Sequence, residues 1–312
     1  FLVEACRQLG DALIESWHAH DQVPEIPTDE DEVVYARRLI AQRCLYGVDK
    51  NQVAVDLAKV SLWLVTLARD HALTFVDHAL RHGDSLVGLS KKQIESFHWE
   101  TTKPPILKGF GIRESLDAVN DLRKRIREAD ESISYQELRD LWDEAQVELD
   151  KVRLFGDLVL AAFFEGDKPN KREAKRSEYS TAVVNGEIER YRSSLEEGRH
   201  TDKPLVPFHW ELEFSEVFER ENPGFDALNG NPPFAGAVQL ARALGERYSS
   251  YLRQNLAGIS GQTDLAAFFF RQSFDLLREK GCMGFLATNT IAQGDTRESG
   301  LSWICENGGD IY

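Results

Sequence analysis

The sequence predicts an α/β protein built on a parallel, doubly wound sheet. Three observations carry this. Short apolar runs ending in Asp or in Asn and Gly recur along the 312 residues. Each is followed by a stretch with apolar residues at helical spacing. The alternation holds on both sides of a charged, helical middle segment, and strands alternating with helices imply parallel pairing.

Composition sets the class. With 42% hydrophobic and 29% charged residues, the chain is globular in character and long enough to bury a sizeable core. No apolar run approaches the ~18 residues that span a bilayer. The chain opens on Phe1-Leu2-Val3-Glu4-Ala5, with no initiator Met and no basic region of the kind that opens a signal peptide, so it looks like a piece of a longer protein. A formal net charge of −15 argues against a broad grip on a phosphate backbone. Nucleic-acid contact is then local, or made by regions outside this chain. Cys6, Cys44, Cys282 and Cys305 lie far apart in apolar stretches, match no zinc spacing, and are expected to be reduced core thiols.

Taken in order, Phe1 to about His20 is a helix, with Leu2, Ala5, Leu9, Leu13 and Trp17 along one side. Residues 22–32 form a Pro- and acid-rich loop. Asp29 or Asp31 caps the next helix, whose apolar side is Val33, Ala36, Leu39 and Ile40. Cys44 to Asn51 is a short buried strand ending at Asp49, and a helix follows at once (Val53, Val55, Leu57, Val60, Leu62, Leu64). Ligands of open α/β sheets bind outside the carboxyl ends of strands. There Asp49 can accept both hydroxyls of a ribose, or it can serve as a helix N-cap. Residues 73–89 hold another strand ending near His82-Gly83-Asp84-Ser85-Leu86, where Asp84 can accept from an exocyclic amine or act as a turn residue.

Residues 111–200 are expected to be a helical insertion of two or three helices, with charged outer faces. Its basic stretch Lys168 to Arg176 is read as a solvated turn in preference to a phosphate contact. Phe208-His209-Trp210-Glu211-Leu212-Glu213-Phe214 alternates like a strand or edge segment. Phe225 to Leu228 is a strand, Thr263 to Lys280 an apolar helix, Gly281 to Asn289 a buried strand, and Asp295 to Cys305 a helix; Ile311-Tyr312 enters another strand. The insertion divides the chain into parts 1–110, 111–200 and 201–312.

The rest is organised around Asn229-Gly230-Asn231-Pro232-Pro233-Phe234. Pro232 restricts Asn231 to extended geometry and fixes its own φ; Pro233 repeats the constraint. The Asn231 amide is therefore aimed by the backbone. With a neighbouring carbonyl it offers two acceptors for a planar NH2 group, and Phe234 can stack on the ring bearing that group. An ordinary surface turn would also use Asn-Pro.

Asn231-Pro232-Pro233-Phe234 resembles the catalytic Asn/Asp/Ser-Pro-Pro-Tyr/Phe motif of the amino DNA methyltransferases. Gly47-Val48-Asp49-Lys50-Asn51 and His82-Gly83-Asp84-Ser85-Leu86 resemble that family's second and third cofactor motifs. The stretches 208–218 and 281–294 look like those of large adenine-specific enzymes of type II (IIG-like) and phage-defence restriction–modification systems. The resemblance implies a Rossmann-like class I S-adenosylmethionine-dependent methyltransferase sheet, incomplete at its N-terminus, in a cytoplasmic bacterial enzyme. It further implies that S-adenosylmethionine is held by Asp49 (ribose), Asp84 (adenine amine), flanking Lys50 and Leu86, and Phe1 from the first motif's tail, with no metal. The target is N6 of a flipped adenine in double-stranded DNA, accepted by Asn231 and the Pro232 carbonyl and stacked on Phe234. A nuclease domain, fused or associated, is a further implied partner.

Of the family's Gly-rich first motif only the tail, Phe1-Leu2, is present, and the resemblance implies a target-recognition domain outside these residues. Weak or absent cofactor binding by this chain alone is the expectation. Three other readings stay open: methylation of a protein glutamine amide, methylation of cytosine N4, and a truncated interaction module without activity.

Overall fold

A computed structural model describes residues 1–26, 30–67, 73–130, 132–201, 204–256, 258–259 and 261–312. In chain order the elements are α1 (Leu2–His20), α2 (Glu32–Arg43), β1 (Gly47–Asp49), α3 (Gln52–Thr66), β2 (Leu80–His82) and α4 (Lys91–Glu95). Then come α5 (Ile112–Glu128), α6 (Tyr135–Glu165), α7 (Pro169–Asn185), α8 (Arg192–Arg199), α9 (Trp210–Glu213) and α10 (Ser215–Phe218). The chain closes with β3 (Phe225–Gly230), α11 (Ala237–Leu244), α12 (Glu246–Asn255), α13 (Leu265–Leu276), β4 (Leu277–Phe285), α14 (Gly294–Arg297) and α15 (Trp303–Glu306).

The chain separates into two compact units. Residues 1–85 and 113–150 form the first; residues 86–112 and 151–312 form the second. This packing division runs across the boundaries at 110 and 200 at which composition divides the sequence.

In the first unit, β1 and β2 pair in parallel, with Asp49 opposite His82. α1, α2 and α3 bury Cys6, Ile40, Ala41, Val55 and Leu62 against Leu80. Asp31 caps α2, accepting from the Val33 N–H at 2.9 Å; Asp29, the other candidate, lies outside the described residues. A second cluster joins Phe75 to Ile126, Leu138 and Trp142 of α5 and α6. Leu116, Val119 and Ile126 of α5 and Ala145 and Leu149 of α6 are fully buried. α3 splits its apolar residues: Val55 and Leu62 are buried, while Val53, Leu57, Val60 and Leu64 stand exposed along its other side.

In the second unit, β3 and β4 pair in parallel, with Ala227 opposite Cys282 and Gly230 opposite Phe285. Their entry is packed by an aromatic cluster in which Trp210, Phe214 and Phe218 each meet the Phe225 ring edge-on.

Several expectations are corrected here. The stretch 208–214 is not a strand; Trp210–Glu213 is a helical turn, and its aromatic rings gather on one cluster. The basic stretch Lys168 to Arg176 is no turn, because Pro169 at the first helical position starts α7. Four of its five cations are engaged: Lys171 with Asp167, Lys175 with Glu178, Arg176 with Glu173, and Arg172 stacked 3.8 Å from the Phe163 ring centre. α13 ends at Leu276, and β4 starts there and stops at Phe285, earlier than the sequence expects. Ile311 and Tyr312 carry no strand.

The strands are also less buried than predicted, because among the described residues each has one hydrogen-bonded neighbour and is thus an edge. Cys282 in β4 is exposed, and Cys44 and Cys305 are exposed at helix ends. Of the four thiols only Cys6 is in the core, where burial pushes it up to about 11. The parallel pairing itself stands as expected, as two separate pairs.

Candidate functional site

Parallel pairing puts the carboxyl ends of both strands of a pair at one edge. In the first unit that edge carries Asp49, Lys50 and Asp84. Asp49 is exposed and accepts from the Asn51 N–H at 2.7 Å. It does not cap α3; Asn51 does, through its side-chain oxygen and the Val53 N–H. The Asp49 carbonyl accepts from Gly83 N–H, and the Lys50 carbonyl meets His82 Nε2 at 3.0 Å, so the two strand ends are tied directly. Asp84 is buried and its carboxylate meets Lys50 Nζ at 2.6 Å. Phe1 also belongs to this unit, exposed at the start of α1.

In the second unit the corresponding edge carries the Asn-Pro-Pro turn. β3 runs to Gly230, whose carbonyl accepts from Leu286 N–H at 3.0 Å, and the chain then leaves the ladder. Gly230 is required there: a Cβ would stand 2.9 Å from the Phe285 ring. Asn231 and Pro233 are exposed, Pro232 is buried and Phe234 is half-buried. An exposed amide beside an anchored proline and an aromatic ring can present acceptors to an incoming planar amine. Leu86, predicted to flank a bound adenine, is buried in this second unit.

Sequence reasoning missed two features. The first is a buried network around His209. Leu89 N–H donates to its Nδ1 at 3.0 Å, so Nε2 carries the proton and donates to Asp157, 3.2 Å away; Arg199 holds the other Asp157 oxygen at 2.7 Å. The second is Asp264, the N-cap of α13, which touches the residue after Phe234. The signal for it was present: an Asp directly before an apolar run marks a helix start.

The second unit also has a cleft of about 380 Å³, lined by Lys91, Glu211, Glu219 and Asp275 among others. It reaches Gly224 and Leu277, where β3 and β4 begin, so it opens at the far end of the strands from Asn231. Burial raises both the Glu211 and the Asp275 carboxyl above the usual carboxylate range.

Polar motif residues stand at the carboxyl ends of both parallel pairs, the end at which open α/β sheets bind ligands. The comparison with known families narrows this: the chain belongs to the Eco57I restriction-modification methylase family, whose model matches residues 43–307. It is similar to a protein of Methanocaldococcus jannaschii provisionally described as a type II restriction enzyme and methyltransferase, with 23% identity over 291 residues. The match covers 85% of this chain but 24% of that protein, so the chain spans about a quarter of its relative's length. No solved structure matches significantly. Among the described residues, no helix is long and apolar enough to cross a membrane.

Proposed function

We propose that the chain is the catalytic region of a DNA methyltransferase that moves a methyl group from S-adenosylmethionine to N6 of an adenine flipped out of the duplex. The observation that carries this is the Asn231–Phe234 turn, leaving the carboxyl end of a parallel strand in a chain of the methylase family. In this reading the chain has the Rossmann-like class I fold of S-adenosylmethionine-dependent methyltransferases. Residues 1–110 are its cofactor part, 201–312 its catalytic part, and 111–200 an insertion. DNA is the substrate partner, and the relative's name supports an associated nuclease.

The residues fit the cofactor's chemistry. Asp49 is exposed at a strand's carboxyl end, as a carboxylate accepting two ribose hydroxyls must be. Asp84 lies beside it, two residues past the partner of Asp49 in the register, and can accept an amine hydrogen. Lys50 would flank the adenine, and Phe1 would end the loop that faces the methionine part. When bound, S-adenosylmethionine supplies a methyl group on a sulfonium, an electrophile that needs no covalent intermediate.

The catalytic turn does the rest. The Asn231 side-chain oxygen and the Pro232 carbonyl accept the two N6 hydrogens. That draws the nitrogen lone pair out of conjugation with the ring, and Phe234 stacks on the base. Positioning and electrostatics lower the barrier. The family membership favours DNA over a protein glutamine amide, which poses the same problem of an unreactive NH2.

The test uses the complete protein, titrated calorimetrically with S-adenosylmethionine and assayed for transfer of a labelled methyl group to duplex DNA. Asp49→Ala should abolish cofactor binding. Asn231→Ala should keep binding and lower transfer by about 10²- to 10³-fold, as loss of one aligned polar contact does elsewhere. Undiminished binding by Asp49→Ala, or labelling of a protein glutamine in place of adenine, overturns the reading.

A further inference from the structure

Resting on that reading, the geometry points to Asp264 as a positioning residue for the catalytic turn. Its Oδ1 accepts from Ala266 N–H at 2.9 Å, the usual N-cap bond, and also from Ala235 N–H at 3.3 Å. Leu265 N–H donates back to the Ala235 carbonyl at 2.9 Å. The backbone of Ala235 is therefore held on both its N–H and its carbonyl side by the first residues of α13.

Ala235 directly follows Phe234. The turn is pinned upstream by the bond from Leu286 N–H to the Gly230 carbonyl and downstream by this clamp. Between the anchors lie Asn231, Pro232, Pro233 and Phe234. The prolines donate no backbone hydrogen bond, and each has a fixed φ. A four-residue span with both ends held and two φ angles fixed has little freedom left. Where its downstream end is held decides where the Asn231 amide and the Phe234 ring point.

The clamp has its own support. Asp264 N–H donates to Thr296 Oγ1 at 3.1 Å, and the Thr263 hydroxyl donates to Ser299 Oγ at 2.8 Å. These partners sit in the helical stretch that follows β4, where a π-helical turn spans Glu298–Ser302. An N-cap whose only duty was α13 would need neither the bond to Ala235 nor this backing.

Capping and positioning separate by side-chain length. Serine is a good cap, but its hydroxyl is one bond closer to the backbone than the Asp264 carboxylate and gives up the reach to Ala235. Asparagine keeps both acceptor bonds. In the complete protein, Asp264→Ser should unfold at the same urea midpoint as Asp264→Asn. It should raise amide hydrogen exchange across residues 233–236 while α13 stays protected. Its kcat for DNA methylation should fall about 10- to 100-fold, the scale of a misplacement of about 1 Å, with KM for S-adenosylmethionine unchanged, and Asp264→Asn should restore kcat. If the unsubstituted protein methylates DNA and Asp264→Ser methylates it equally well, the positioning role is overturned alone. If the unsubstituted protein transfers no methyl group, the methyltransferase reading falls and the role of Asp264 falls with it.

Discussion

Lys50 Nζ stands 2.6 Å from Asp84 Oδ2, closing the carboxyl ends of β1 and β2 with an ion pair. The pair is lopsided: the Lys50 side chain is 42% exposed and that of Asp84 only 3%. Removing the lysine leaves a buried carboxylate without this partner, which is costly in a fully buried pair. Water reaching the lysine side reduces the effect. Lys50→Met should therefore destabilise the protein by about 1–2 kcal/mol in urea unfolding. Most of that loss should vanish in an Asp84→Asn background, because no charge then remains to strand. Equal losses in both backgrounds would show that the pair contributes nothing.

Gly230 and Phe285 fix the start of the catalytic turn. Two atoms of the Phe285 ring lie 2.9 and 3.2 Å from where a Cβ on Gly230 would be, and the ring centre is 5.1 Å from that of Phe270. A Cβ at that distance forces the ring or the strand to shift. Gly230→Ala should cost about 1–3 kcal/mol, the range for overpacking. Phe285→Leu should recover part of it. A Gly230→Ala protein as stable as the unsubstituted one would show the ring moves freely.

Gly156 lies inside α6, where replacing Gly by Ala commonly gains about 1 kcal/mol. Here the sign should reverse. A Cβ would stand 2.6 Å from His209 Cε1 and Nε2. That imidazole cannot swing aside, since Leu89 N–H and Asp157 hold its two nitrogens. Gly156→Ala should destabilise. Gly198→Ala in α8, where nothing stands within 4 Å, is the control and should be neutral or stabilising. Stabilisation by both would mean that His209 is loosely held.

Much of this was legible in the sequence, for local reasons. Asp49, Asp84 and Asn231 follow short apolar runs, and those runs became strands that carry Asp49 and Asp84 to the carboxyl edge of the first pair and Asn231 to that of the second. The helical spacing of Leu116, Val119 and Ile126 gave the buried face of α5. What stayed hidden depends on partners distant in sequence. Phe208 to Phe214 alternates because its rings converge on Phe225, a tertiary cause that period-two reading assigns to a strand. His209 meets Asp157 across 52 positions, and no periodicity records that. Pro169 was the overlooked local signal, since it turns a basic stretch into the first turn of α7.

Glu211 gives a prediction about pH. Burial raises its carboxyl above the ordinary 4.5, and the bond from Lys91 N–H at 2.7 Å opposes this only in part. Asp275, in the same cleft, is raised by burial too, with Arg271 opposing. A raised acid binds its proton more tightly in the folded state than in the unfolded chain. The stability it contributes is fully present below the unfolded value and is lost as pH rises through the folded one. Glu211→Gln can still accept from Lys91 N–H but has no proton to lose. The variant should therefore gain on the unsubstituted protein as pH rises from about 4 towards 7, read as a growing difference between their urea midpoints. A difference that stays constant across that range would show that Glu211 is as well solvated folded as unfolded. A difference that shrinks would mean the Lys91 contact outweighs burial.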